Sequence, residues 1–142
     1  MHGKYKDENL LEFYNNHPLF KDCISIYFPK GWHKLVKEML EYVELCNRRT
    51  ELDIKFVQVK VKYNLLVVYV SPNVPINEDK NLYKQASEIS QKIDSIAEKS
   101  FRMCKICGNE LVKTVVDSRI TARCLDHFHE DQGDKNFRRI RL

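Results

Sequence analysis

The sequence predicts an α+β fold: a β-hairpin or small antiparallel sheet packed by two main helices, with a zinc-ribbon-like hairpin at the C-terminal end. Three observations predict it. Apolar residues recur at spacings of three and four over 32–48 and again over 79–102, the period of a helix with one buried face. Between them lie two runs rich in β-branched and aromatic residues, at 54–63 and 65–70, the composition of strands. Near the end, Cys104-x2-Cys107 is followed after 16 residues by Cys124-x2-His127.

Taken in order, Glu8 to Tyr14 reads as a short helix with Leu10, Leu11, Phe13 and Tyr14 on a broad apolar side. His17-Pro18 ends it, because the residue before proline is pushed away from helical angles. Ile24, Ile26 and Phe28 alternate as a short strand would, and Pro29-Lys30-Gly31 is a turn. From Trp32 the period changes. Trp32, Leu35, Val36, Met39, Leu40, Val43 and Cys46 (or Leu45) line one side of a helix, with Arg48 and Arg49 at its negative end.

In the first strand, Ile54 and Phe56 fall on even numbers but Val57, Val59, Val61 and Tyr63 on odd ones. That slip predicts a bulge at 56/57, since one extra residue turns the following side chains to the other face. Gln58, Lys60 and Lys62 then face water. Tyr63-Asn64 joins this strand to Leu65–Val70 as an antiparallel hairpin, with Asn64 suited to positive φ. A helix capped by Asn77 or Asp79 follows, its apolar side formed by Leu82, Ala86, Ile89, Ile93, Ile96, Ala97 and Ser100 or Phe101. Val112, Thr114, Val116, Ile120 and Ala122 alternate as a second hairpin turning near Asp117-Ser118. The chain divides as an N-terminal extension (1–30), an α+β core (31–102), a zinc-binding hairpin (103–128) and a basic tail (129–142) that stays mobile until something holds it.

Composition narrows the function. The chain has 142 residues, 43% of them hydrophobic and 31% charged, with four Gly and four Pro, which is a globular composition. The longest purely apolar run, Leu65–Val70, is far short of the roughly 20 residues of a membrane helix. No apolar segment follows the first lysines, so no secretory signal is expected, and the expected location is the cytoplasm. A net charge of +4 is too mild to name a partner alone. Five cysteines (Cys23, Cys46, Cys104, Cys107 and Cys124) are an odd number, which argues against a disulfide framework.

The cysteine cluster is read as one structural zinc site. Two pairs on tight turns joined by a hairpin close a tetrahedron around one ion: Cys104, Cys107, Cys124 and His127. Thiolates disfavour magnesium and calcium, and Gly108 suits the left-handed angle that a metal knuckle needs. His129 is an alternative to His127. The shorter spacing is preferred because a tight knuckle aims both ligands the same way. Four protein ligands leave no open position for water, and no H-E-x-x-H or H-x-E motif precedes the cluster, so the expected ion is structural. Such a site contributes about 10–16 kcal/mol in isolated finger peptides.

Other chemistry is weaker. Cys23 and Cys46 have His17 and His33 nearby in sequence, a conceivable nucleophile pairing, but Cys46 lies on an apolar face where inert thiols are common. Trp32 reads as a core anchor, with a binding aromatic as the other reading. Lys55, Lys60 and Lys62 form a stripe that is a solvated sheet face or a phosphate track. Arg138, Arg139 and Arg141 are the candidate partner-binding residues, suited to nucleic acid or an acidic protein surface.

Gly31-Trp32 opening a helix, then Val59-Lys60-Val61-Lys62-Tyr63-Asn64-Leu65-Leu66-Val67-Val68-Tyr69-Val70, then a helix running into Cys104-Lys105-Ile106-Cys107-Gly108 and closing on Cys124-Leu125-Asp126-His127, resembles a group of small phage and prophage proteins of unknown function. Their pattern is Gly-Trp, V-K-E-K-F-G-x-L-R-F-Y-V, a helix, C-x-x-C-G and L-C-D-x-H. The resemblance covers about residues 31–127. This chain departs from it with Asn64 for the usual Gly, Val67 for the usual Arg, and Arg123 before the last cysteine. The resemblance implies a phage-related origin, and the same four zinc ligands. The expected function is a non-enzymatic accessory protein that binds and inhibits a host protein, such as a defence component, in the host cytoplasm. The alternative is a nucleic-acid-binding regulator using the zinc hairpin and the basic tail.

Overall fold

In the computed structural model, the residues described are 6–71, 80–109, 112–116, 119–123 and 138–141, the last three segments as backbone. Among them the fold is α+β, with three α-helices, a three-stranded mixed sheet built early in the chain and a second three-stranded sheet near its end. No described helix is long and apolar enough to cross a membrane.

Helix α1 (Glu8–Asn15) starts where Asp7 Oδ1 accepts the Leu10 amide (3.1 Å), relieving one of the unpaired first-turn donors. It stops before His17, whose extended backbone precedes a single 3₁₀ turn at Pro18–Phe20. Strand β1 is only Ser25–Ile26, and it pairs parallel with the next strand. The alternation seen from Ile24 to Phe28 thus yields two strand residues, with Ile24 76% exposed and Phe28 buried.

Residues 8–29, set apart in the sequence reading, belong to the main core. Tyr14, Phe20 and Phe28 are each 1% exposed. Phe20 stacks on Phe56 at 4.4 Å, and Tyr14 meets Phe20 and Phe28 edge-on. Burying a phenylalanine contributes roughly 1.5–3 kcal/mol, so Phe20 and Phe28 join this segment firmly to the rest. The core does not begin at residue 31.

Helix α2 (His33–Arg49) follows a 3₁₀ turn at Lys30–Trp32 and buries Leu35, Val36, Met39, Leu40 and Val43. Beyond it, Asn47 accepts the Ile54 amide (2.8 Å) and donates to the Ile54 carbonyl (3.0 Å), which fixes where the chain turns into β2 (Lys55–Lys62). The hairpin of β2 with β3 (Leu65–Ser71) shifts register between Phe56 and Gln58, at the expected bulge. Tyr63 and Asn64 have φ of 53° and 62°, as a two-residue type I′ turn requires.

Helix α3 (Lys80–Glu98) lays Ile89, Ile93, Ile96 and Ala97 into the core and tightens into a 3₁₀ turn at Lys99–Arg102. Its capping candidates, Asn77 and Asp79, lie outside the described residues. Ser100, not Phe101, is the residue turned inward: Ser100 is fully buried and Phe101 40% exposed. The Ser100 hydroxyl accepts the Leu66 amide at 2.9 Å. That amide sits in a non-hydrogen-bonded pair of the ladder and points away from β2, so Ser100 blunts an edge that would otherwise offer a bare donor.

Strands β4 (Val112–Val116) and β5 (Arg119–Arg123) pair antiparallel from Val112↔Arg123 to Val116↔Arg119; the turn expected near Asp117-Ser118 lies outside the described residues. Strand β6 (Arg138–Arg141) pairs with the other edge of β4, Val112↔Arg141 to Val115↔Arg138. The three arginines of the expected mobile tail thus lie within a strand. A third strand on β4 supplies the backbone partners that a free tail leaves to water.

Candidate metal centre

Cys104 to Asn109 folds as a tight knuckle. The Ile106 amide points at Cys104 Sγ (3.4 Å), the Gly108 amide donates to the Cys104 carbonyl (2.9 Å), and the Cys104 amide donates to the Asn109 carbonyl (2.9 Å). Gly108 takes φ +79°, a conformation that costs residues with a Cβ roughly 1–2 kcal/mol. Cys104 is buried and Cys107 exposed.

The knuckle is seated on the start of α2. The Gly31 amide donates to the Lys105 carbonyl (2.8 Å), and the Trp32 indole N–H donates to the Met103 carbonyl (2.8 Å). A Cβ on Gly31 would lie 2.7 Å from the Lys105 carbonyl oxygen, and one on Gly108 would lie 2.6 Å from the Gly31 carbonyl oxygen. Gly31 thus admits the Cys104-Lys105 backbone of the knuckle, and Gly108 admits the Gly31 carbonyl. From above, Lys105 reaches across: its Nζ is 5.8 Å from the Trp32 ring centroid and donates to Asn64 Oδ1 at 2.7 Å. Three segments far apart in sequence (Gly31-Trp32, Asn64 and Cys104–Gly108) therefore meet in one place.

Trp32 is fully buried, the core anchor expected of it, and its ring nitrogen also holds the knuckle. The contacts of Asn64 and Lys105 carry no signal in spacing or composition. The nearest hint is that the motif residues of the resemblance include both the Gly-Trp pair and the hairpin turn.

Of the four expected ligands, Cys104 and Cys107 are in the knuckle, while Cys124, His127 and the alternative His129 lie outside the described residues. Among the described residues no three His, Cys, Asp or Glu side chains are grouped to hold an ion. Arg138, Arg139 and Arg141 are placed on β6 by their backbone.

The other cysteines and histidines have different engagements. Cys23 Sγ donates to the Ser25 carbonyl (3.2 Å), and burial raises its pKa. His17 Nδ1 accepts the Leu19 amide (3.1 Å), and its Nε2 is 3.6 Å from Glu44. Tyr42, beside Cys46, has its pKa pushed up to about 12, chiefly by burial and then by its hydrogen bond to that thiol. The Tyr14 hydroxyl lies 2.9 Å from His33 Nε2. Burial, with a contribution from Glu41, pushes Tyr14 up to about 12, while burial and Lys37 lower the His33 pKa against the pull of Asp7. Both shifts fit a neutral tyrosine donating to a neutral imidazole.

Comparison of the chain with known protein families, curated proteins and solved structures finds no match.

Proposed function

We propose that this protein is a non-enzymatic binding module whose C-terminal unit is closed by one structural zinc ion held by Cys104, Cys107, Cys124 and His127. The observation that carries the reading is the knuckle: an amide on Cys104 Sγ and a left-handed Gly108 directly after Cys107. A chance Cys-x2-Cys has no reason to adopt that shape. The hairpin register adds support, because it ends at Val112↔Arg123 and Cys124 is the next residue. When bound, the ion supplies cross-linking energy, and Gly31 and Trp32 anchor one half of the site to the core. In this reading the protein acts by occluding a host protein in the cytoplasm, as the resemblance to phage proteins implies.

Metal analysis of the purified chain tests the zinc reading. One zinc per chain is expected, falling below a tenth in Cys124→Ser. A full zinc complement in Cys124→Ser, or no stoichiometric metal in the native chain, overturns it. Comparing His127→Ala with His129→Ala identifies the fourth ligand. Affinity capture from host lysate tests the partner: a protein retained after nuclease treatment supports occlusion, and loss of every partner with nuclease opposes it.

A second reading, a nucleic-acid-binding regulator, is favoured by the pairing of β6, which gathers Arg138, Arg139 and Arg141 on an ordered strand. An ordered strand has less backbone entropy to lose when several phosphates are contacted together.

A further inference from the structure

The geometry points to the outer face of the β1–β2–β3 sheet as a binding surface for single-stranded nucleic acid. This deepens the second reading, on which it rests for the class of ligand, and it uses different residues.

The pleat sorts the side chains. Phe56, Val59, Leu66 and Val68 are buried on the helix side. The ladder pairs Ser25 with Gln58, Gln58 with Tyr69, Lys60 with Val67 and Lys62 with Leu65, and these residues form the opposite face. Gln58 Nε2 donating to Ser25 Oγ (3.3 Å) confirms that β1 shares it. None of these seven residues is buried and none is acidic. Exposed on this surface are Tyr69 (50%) and, at the hairpin turn, Tyr63 (88%).

Lysines and tyrosines alternate there in matched pairs. Lys60 Nζ lies 5.5 Å from the Tyr69 ring centroid, and Lys62 Nζ lies 5.5 Å from that of Tyr63. A nucleotide offers one negative phosphate and one flat ring. Each pair offers one cation and one flat ring, and the two lysines are about 6.7 Å apart along the strand. A single strand has bases free to stack on exposed rings, as sheet-face aromatics do in other single-strand binders, whereas a duplex keeps its bases stacked inside. An acidic protein surface would satisfy the lysines and leave both tyrosine rings without a matching group. Charge complementarity and ring exposure together therefore select unpaired nucleic acid. In the absence of ligand the ammonium groups cover the rings through cation–π contacts, and they are released to phosphate when bases take their place.

The test is fluorescence anisotropy with the full chain, its metal content measured on the same sample. The probes are fluorescein-labelled oligo(dT) and oligo(rU) of about a dozen nucleotides, within the span such surfaces cover, and a duplex of equal length. Tighter binding of either single strand than of duplex is expected, and the better of the two identifies the sugar preferred. For two phosphates, log affinity should fall with log salt at a slope of about −1.4. Lys60→Glu with Lys62→Glu should weaken binding at least about ten-fold, and Tyr69→Ala or Tyr63→Asn about five-fold or more. Asparagine tolerates the turn's positive φ, so Tyr63→Asn removes the ring while keeping the hairpin, and circular dichroism checks each fold. No binding to either single strand overturns the proposal. Binding unchanged by the sheet-face variants but lost with Arg138, Arg139 and Arg141 replaced by alanine also overturns it, in favour of the β6 arginines. Sheet-dependent binding in a metal-free chain supports this surface and overturns the zinc reading alone.

Discussion

Replacing Gly31 with alanine perturbs the junction between core and knuckle more directly than any other single change. The added methyl would lie 2.7 Å from the Lys105 carbonyl oxygen and 2.5 Å from its carbonyl carbon, against backbone that no side-chain rotation can move. Overpacking of this kind costs about 1–3 kcal/mol. Pushing the strands of chain apart also weakens the Gly31–Lys105 and Trp32–Met103 hydrogen bonds, both 2.8 Å, each contributing about 0.5–1.5 kcal/mol. Opposing this, alanine restricts the unfolded chain and stabilises by about 0.4–1 kcal/mol where the backbone angles allow it. The steric and hydrogen-bond losses win, and the net destabilisation is about 1–3 kcal/mol. Urea unfolding of the purified chain, followed by far-ultraviolet circular dichroism, measures it. Buried Trp32 gives a second signal by fluorescence. If the knuckle holds zinc as proposed, its affinity, measured by chelator competition, should fall about ten-fold for each 1.4 kcal/mol that acts on the knuckle. A Gly31→Ala chain as stable as the parent and equal in zinc affinity would refute the seating of the knuckle on Gly31.

Other outcomes follow from single contacts. Ser100→Ala leaves the buried Leu66 amide without its acceptor; a loss of about 1–3 kcal/mol is expected, with faster hydrogen exchange at that amide. His33 is held neutral by burial and its lowered pKa, so the unfolded chain binds the extra proton first. Its contribution is complete above the unfolded pKa of about 6.5 and is lost as pH falls through the lowered folded value. A stability-versus-pH curve should show this acid-side loss, and His33→Gln should diminish it; an unchanged curve removes the assignment. Tyr63→Gly relieves a positive φ in a residue with a Cβ and should stabilise the hairpin by about 1 kcal/mol, read as a raised urea midpoint.

The elements whose cause is local were legible without coordinates. Helix α2, the 56/57 bulge, the hairpin around Tyr63-Asn64 and the burial of Ile89, Ile93 and Ile96 all follow from period and turn chemistry, because each residue's role there depends on near neighbours in the chain. The left-handed turn at Gly108 was legible for the same reason: a glycine directly after Cys107 marks it locally. In the N-terminal segment the helix from Glu8 was legible, but its packing was not. Tyr14, Phe20 and Phe28 find their partners in Phe56 and α2, and no pattern in residues 1–30 names them.

Apolar periodicity and turn chemistry were thus enough to predict an α+β chain with a tight turn at Cys104–Gly108. Three-dimensional packing alone decided that β1 joins β2 in parallel, that Ser100 rather than Phe101 closes the sheet edge, and that Gly31, Trp32, Asn64 and Lys105 converge on the knuckle. The physical reason is range. Backbone angles and amphipathic faces are written into successive residues, whereas a glycine that must admit a distant carbonyl, or a lysine that bridges a turn 41 residues away, is defined only by what the folded chain brings beside it.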